Sequence, residues 1–300
     1  MQEPRNTDGL HDRIAKAVLS QYDGLPGRAK PQGRAWTVLA GIVAETHGDL
    51  EVLALATGTR CIGVAAMVAG CGQVVHDCHA EVLCRRAFHR FLLGEMLYVS
   101  NDGQKEQRRS SILEMVRREE LLFSLRSDVN LHFYVSALPC GECTLVPLQS
   151  KEGTLARKMT EEKEAAPLND RNRTGAKPSR GMPNDPKAEG KDFHQHGILR
   201  YKSGRSDTRP ESRTVCYSCS DKICRWNRVG WQGALLSRLV KGPLQMQSIV
   251  IGGSIYDGGF VQQALFGRAL APPGIAPEFC HTTLVFHSSR EAAEADEASS

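Results

Sequence analysis

The chain has 300 residues, with 38 Lys and Arg against 34 Asp and Glu, a formal net charge of +4 and a pI near 8.5. That length suggests two domains at about 150 residues each, and 41% hydrophobic content supplies a real core, which excludes wholesale disorder. The mildly basic balance is compatible with a nucleic-acid partner without requiring one, and no apolar run approaches the roughly 18 residues of a membrane span.

The first residues, MQEPRNTDGLHDR, lack the apolar stretch of a secretory signal, so an intracellular protein, cytoplasmic or nuclear, is expected. Its ten cysteines are then expected to be reduced, and pairs such as Cys140-Gly141-Glu142-Cys143 and Cys216-Tyr217-Ser218-Cys219 read as metal or redox chemistry.

Leu10, Ile14, Ala17, Val18 and Tyr22 recur at helical spacing and predict a short amphipathic helix over 10–20. A Gly- and Pro-rich loop follows to residue 34. Two apolar, β-rich runs, Trp36 to Ala44 and Leu50 to Ala56, flank His47-Gly48-Asp49 and predict a hairpin. Val82, Leu83, Ala87, Phe88, Phe91 and Leu92 line one side of a helix over 78–96, and a further helix is expected over 108–125. Val129 to Ala137 reads as a strand running into Pro139-Cys140, where the proline favours a helix start.

Residues 150–192 contain no Phe, Trp or Tyr but many charges, Pro and Gly, and are expected to be a disordered insertion. Beyond it, helices are expected over 218–227, 232–240 and 260–270, and a buried strand over 246–251. The chain thus divides into an N-terminal helix and loop (1–35), one domain (36–270) and a flexible acidic tail (271–300). Without the insertion and both ends, roughly 200 residues remain, the size of one domain. Mixed strands and helices argue for helices packed on a central sheet.

His79-Ala80-Glu81 opens a predicted helix, and Pro139-Cys140-Gly141-Glu142-Cys143 follows a predicted strand. Together they fit the H-x-E…P-C-x-x-C pattern of zinc-dependent nucleobase deaminases. One imidazole and two thiolates suit a catalytic zinc that keeps its fourth position open. Helix N-termini help keep such thiols ionised. Glu81, two residues from the histidine, is placed to take a proton from the activated water and deliver it to the base. A lone H-x-E triplet is common by chance, and P-C-x-x-C alone could be redox or structural; the joint occurrence in this order is what carries weight.

A third block, Ser218-Cys219-Ser220-Asp221-Lys222 continuing as ICRWNRVGWQGALLS, extends the pattern. With Gly58-Thr59-Arg60-Cys61-Ile62-Gly63, Asp77-Cys78-His79-Ala80-Glu81, the Arg85-Arg86 pair and Leu138-Pro139-Cys140-Gly141-Glu142, it resembles the adenosine-to-inosine RNA deaminases, from Trp36 to about Arg268. Arg173-Thr174-Gly175-Ala176-Lys177 and the segment from Gly197 to Arg205 look like the tRNA-specific branch. The implied fold is α/β, with a cytidine-deaminase-like central mixed sheet and packed helices. The implied reaction is hydrolytic conversion of adenosine to inosine at position 37 of alanine tRNA, with tRNA as partner and no obligate protein partner.

The resemblance also implies site residues. It makes Cys219 the third zinc ligand beside His79 and Cys140, where the shorter deaminase pattern would use Cys143. It places Thr59 and Arg60 beside the nucleotide. The family can bury inositol hexakisphosphate, and the matching positions are Arg85, Arg86, Lys222, Arg225 and Gln232, with Asp77 able to couple Lys222 to the metal shell. Other family ligands for that anion lie in a C-terminal stretch this chain is expected to lack. Lys202, Arg205 and Arg209 are expected on the surface, gripping phosphates or simply solvated. Two other readings remain open: an editor of double-stranded RNA, and a catalytically inactive zinc-containing RNA-binding protein.

Overall fold

The structure is a computed structural model that describes residues 9–33, 35–101, 111–145, 177–178, 197–202, 212–253, 258–267 and 283–287. Its centre is a five-stranded sheet. β1 (Leu39–Thr46) and β2 (Asp49–Thr57) form the expected hairpin. The turn residues His47 and Gly48 both have positive φ, as a two-residue hairpin loop requires. β7 (Val129–Val135) pairs antiparallel with β1, and β10 (Ser248–Gly252) pairs parallel with β7. β11 (Thr283–His287) closes the order β11-β10-β7-β1-β2. The sheet is therefore mixed, as expected.

Helices cover both faces. α1 (Leu10–Asp23) lays Ile14, Ala15 and Val18 against Leu39, Val43, Tyr134 and Val250. On the opposite face, α3 (Ala80–Ser100) presents Ala80, Cys84, Phe88, Leu92 and Met96 to Ala40, Ile42 and Ala44. That four-residue spacing builds one apolar stripe. The period-2 alternation of β1 sends alternate side chains to the two layers.

The remaining elements hang on this frame. β3 (Thr59–Cys61) pairs antiparallel with β4 (Asp77–His79), and α2 (Val64–Ala69) lies between them. A hairpin of β5 (Leu113–Arg117) and β6 (Leu122–Leu125) follows α3. The two-residue strands β8 (Lys177–Pro178) and β9 (Arg200–Tyr201) pair with one another. α4 (Cys219–Val229) and α5 (Gly233–Leu236) precede β10, and α6 (Gly258–Gln262) runs on as a π-helical turn over Gln263–Gly267. No helix among the described residues is long and apolar enough to cross a membrane.

Several expectations are corrected. The helix expected over 108–125 is the β5–β6 hairpin where it is described. Its charged MVRREELL stretch mimics helix composition, but Leu121 takes a positive φ and turns the chain back. The helix expected over 232–240 is a single turn, after which the chain leaves as an irregular connection. The helix expected at Cys140 is only a short 3-10 turn, Glu142–Thr144. The tail expected from residue 271 contains β11, whose Thr-Leu-Val-Phe run is β-forming and joins the sheet edge. Of the insertion expected over 150–192, only Lys177–Pro178 lies within the described residues.

Candidate active site

The site forms where β4, the loop after β7 and the start of α4 meet. His79 ends β4 and caps α3, whose Ala80 N–H donates to Gly58 O. Gly58 is required there: a Cβ would stand 1.9 Å from Cys78 O, and its φ is +152°. Cys140 sits in the loop after β7, whose next residue, Gly141, has φ +113° and leaves no room for a side chain against Ser218. Ser218 is the N-cap of α4, its hydroxyl oxygen accepting from Asp221 N–H at 3.2 Å. The Ser220 hydroxyl is turned to the Pro139 and Cys140 carbonyls, 3.0 Å from each, and ties the cysteine loop to α4.

These elements bring three donors together. His79 Nδ1 lies 3.8 Å from Cys140 Sγ and 3.6 Å from Cys219 Sγ. Donors at zinc–nitrogen and zinc–sulfur bond lengths, spread at tetrahedral angles, stand about 3.6–3.8 Å apart, so the set fits that ion. The Cys219 backbone N–H, at the first turn of α4, points to Cys140 Sγ at 3.4 Å. Hydrogen bonds from Cys219 and His79, with Lys202 nearby, hold the Cys140 thiol well below its usual range against the opposing effect of burial. Cys143 is not in this group. Its side chain is 2% exposed and packs in the apolar core with Ile223 and Trp226.

Glu81, in the first turn of α3, is 2% exposed. Its Oε2 has no hydrogen-bond partner among the described residues. Burial, reinforced by the Cys140 thiolate, pushes its carboxyl upward. A buried carboxylate with an open acceptor beside a ligand set is suited to collecting and releasing a proton.

Behind the donors lies a charge cluster only partly visible in the sequence. Asp77 Oδ1 accepts from His79 N–H at 3.0 Å and from the Cys61 thiol at 3.1 Å. Its Oδ2 accepts from Lys202 Nζ at 2.8 Å and from Lys222 Nζ. Burial alone would raise the Asp77 carboxyl, but the two ammoniums hold it well below the usual range. Lys202 is thus a buried anchor and not a surface phosphate contact. Buried Arg200, half-buried Tyr201 and buried Lys202 alternate through β9 and the residue after it, and that alternation was the available signal. Arg205 and Arg209 lie outside the described residues.

Thr59 and Arg60 lie on β3, opposite His79 and Cys78, with Arg60 exposed. The five positions matched to a polyanion do not converge. Arg85, Arg225 and Gln232 line a hollow of about 650 Å³ with His89 and Leu235. Arg85 Nε donates to Trp231 O at 3.0 Å and its guanidinium lies over the Trp226 ring; burial and Arg225 push it down to about 10. Arg86, the next residue on α3, is turned about 100° away and is exposed. Lys222 is committed to Asp77. Gln232 is buried, with its amide bonded to Val229 O and Leu244 N–H.

The family model for the adenosine-deaminase (editase) domain matches residues 54–300. The chain belongs to that family. It is accordingly a deaminase. Among its relatives, human tRNA-specific adenosine deaminase 1 is 28% identical over 395 residues, covering 96% of this chain and 76% of that protein. The Drosophila melanogaster protein of the same name is 34% identical over 242 residues, 79% of this chain and 53% of its own. Mouse double-stranded RNA-specific adenosine deaminase is 29% identical over 274 residues, 88% of this chain and 21% of that one.

Proposed function

We propose that this chain converts adenosine to inosine in tRNA, at position 37 of alanine tRNA, by hydrolytic deamination. The observation that carries the reading is the buried Glu81 carboxyl, with one oxygen unpartnered among the described residues, in the first helical turn after His79 of the His79–Cys140–Cys219 set. Those three residues would hold zinc, which supplies the acidity that lets a water ionise near neutral pH. Glu81 is placed to carry one proton of the attacking water to the adenine ring nitrogen and the other to the departing amine, which leaves as ammonia. Asp77 orients His79 through its backbone N–H, and Lys202 and Lys222 keep Asp77 ionised.

Thr59 and Arg60, across the ladder from β4, are proposed to meet the target nucleotide. The tRNA assignment draws on the relatives named for tRNA, which match over 79–96% of this chain. An anticodon-loop base also costs less to present to a pocket than one stacked in a duplex. For inositol hexakisphosphate the residues present fit only in part: two guanidiniums line the hollow, while Lys222 is paired with Asp77 and Arg86 is exposed away from it.

The test is to incubate the zinc-loaded chain with alanine tRNA and, separately, with a long RNA duplex, then digest each and quantify inosine by mass spectrometry. Inosine at position 37 of the tRNA supports the proposal. Inosine in the duplex alone would make this a double-stranded RNA editor. No inosine in either, with zinc bound, would leave an inactive RNA-binding protein.

A further inference from the structure

Cys61 and Cys216 stand 155 positions apart in the sequence, yet fold together beside Asp77. Their sulfurs and an Asp77 carboxylate oxygen all lie within 4.8 Å of one another. We infer that Cys61 and Cys216 form an oxidation site, a dithiol that a peroxide converts to a disulfide.

The two segments are already held side by side. Val64 N–H, three residues after Cys61, donates to Arg213 O, three residues before Cys216, at 2.9 Å. At Gly63 the backbones approach so closely that a Cβ would stand 2.5 Å from Ser212 O. Closing the sulfur–sulfur gap therefore calls for side-chain rotation, not for bringing distant chain together.

The chemistry is also divided between the two thiols. Cys61 is half-buried and faces the Cys216 sulfur; that hydrogen bond first, then burial and the nearby Asp77 carboxylate, push its thiol up, so it keeps its proton. The hydrogen bond from Cys61 pushes the Cys216 thiol down, aided by Thr214 and by the Lys222 charge. Cys216 is thus the attacking sulfur and Cys61 the resolving one. The Cys216 thiolate breaks the peroxide O–O bond, becomes a sulfenic acid and releases hydroxide. Cys61 then gives up its proton and attacks that sulfur; the S–S bond forms and the sulfenic oxygen leaves as water. Two thiols and one hydrogen peroxide give one disulfide and two waters.

A metal is the competing use of Cys61, Asp77 and Cys216. Asp77 already carries Lys202 and Lys222, and a divalent cation would have to enter beside both ammoniums.

The experiment uses the zinc-loaded chain. It is treated with a small molar excess of hydrogen peroxide, its remaining thiols are blocked with iodoacetamide, and its peptides are mapped by mass spectrometry. The expected product is a Cys61–Cys216 linked peptide in most of the protein, lost on adding dithiothreitol, with one zinc per chain before and after. Cys61→Ser and Cys216→Ser should each abolish that peptide. Mapping of the unsubstituted chain decides the matter even where a variant fails to fold. Alkylation of both cysteines after peroxide, linkage through other cysteines, or a second zinc per chain would each overturn the inference.

Discussion

Asp77→Asn isolates the charge cluster behind the donor set. Asparagine keeps the shape and can still accept from His79 N–H, but it leaves two ammoniums facing a neutral amide. The Lys202 side chain is 5% exposed and that of Lys222 is 22% exposed, so Lys222 can turn to water while Lys202 cannot. Breaking a buried ion pair from one side costs about 3–5 kcal/mol, and the partial escape of Lys222 puts the loss near the lower end, about 3 kcal/mol. A carboxylate whose native pKa is depressed contributes stability above its unfolded value of about 4, and that contribution is lost as pH falls through the native value. The loss should therefore be full at pH 7 and shrink only in strong acid. Urea unfolding of the zinc-loaded protein at pH 7 measures it. Lys202→Met in the Asp77→Asn background should recover part of the loss, whereas Lys202→Met alone should be destabilising. Asp77→Asn within about 0.5 kcal/mol of the parent, or strictly additive effects of the two substitutions, would refute the reasoning.

Cys219→Ser should lose zinc and activity, while Cys143→Ser, changed in the apolar core, should keep zinc at some cost in stability; metal analysis of the two separates them. Gly141→Ala places a methyl 2.3 Å from Ser218 Oγ at positive φ and should destabilise by more than about 1 kcal/mol, seen as a lower melting temperature. Burial holds the His132 imidazole down at about 4, with Nδ1 bonded to Ser248 Oγ at 2.7 Å. The unfolded chain takes that proton near pH 6.5, so up to about 3 kcal/mol of stability should be lost between pH 6.5 and 4. His132→Asn should flatten that acid slope in urea titrations.

His79, Glu81 and Cys140 were legible in the sequence because their motifs are local, whereas Cys219 in place of Cys143 came only from the family resemblance. The α3 helix was legible from its periodicity, but its buried face only in part: Phe88 and Leu92 were among the expected residues, whereas Cys84 and Met96 complete the stripe and Val82, Ala87 and Phe91 are only partly buried beside it. The β5–β6 hairpin was not, because Arg117 to Leu122 is rich in residues that favour helices and the reversal depends on the conformation at Leu121. Lys202 was misread because a lysine beside Gly and Ser looks like a solvated loop; only the neighbouring strand and Asp77, 125 positions earlier, make it an interior residue. Cys61 and Cys216 likewise gain their relation only on folding. Arg85 and Arg86 resembled one polyanion cluster as a list, but adjacent positions on a helix cannot face the same way.

The proposed reaction depends on Glu81 as its proton carrier. Its most direct test is inosine formation by Glu81→Gln, compared with the unsubstituted chain at equal bound zinc and on the same tRNA. Retained zinc with activity lower by roughly two to four orders of magnitude is the predicted result. Activity within a few-fold of the unsubstituted chain, or loss of zinc in parallel with activity, would contradict it.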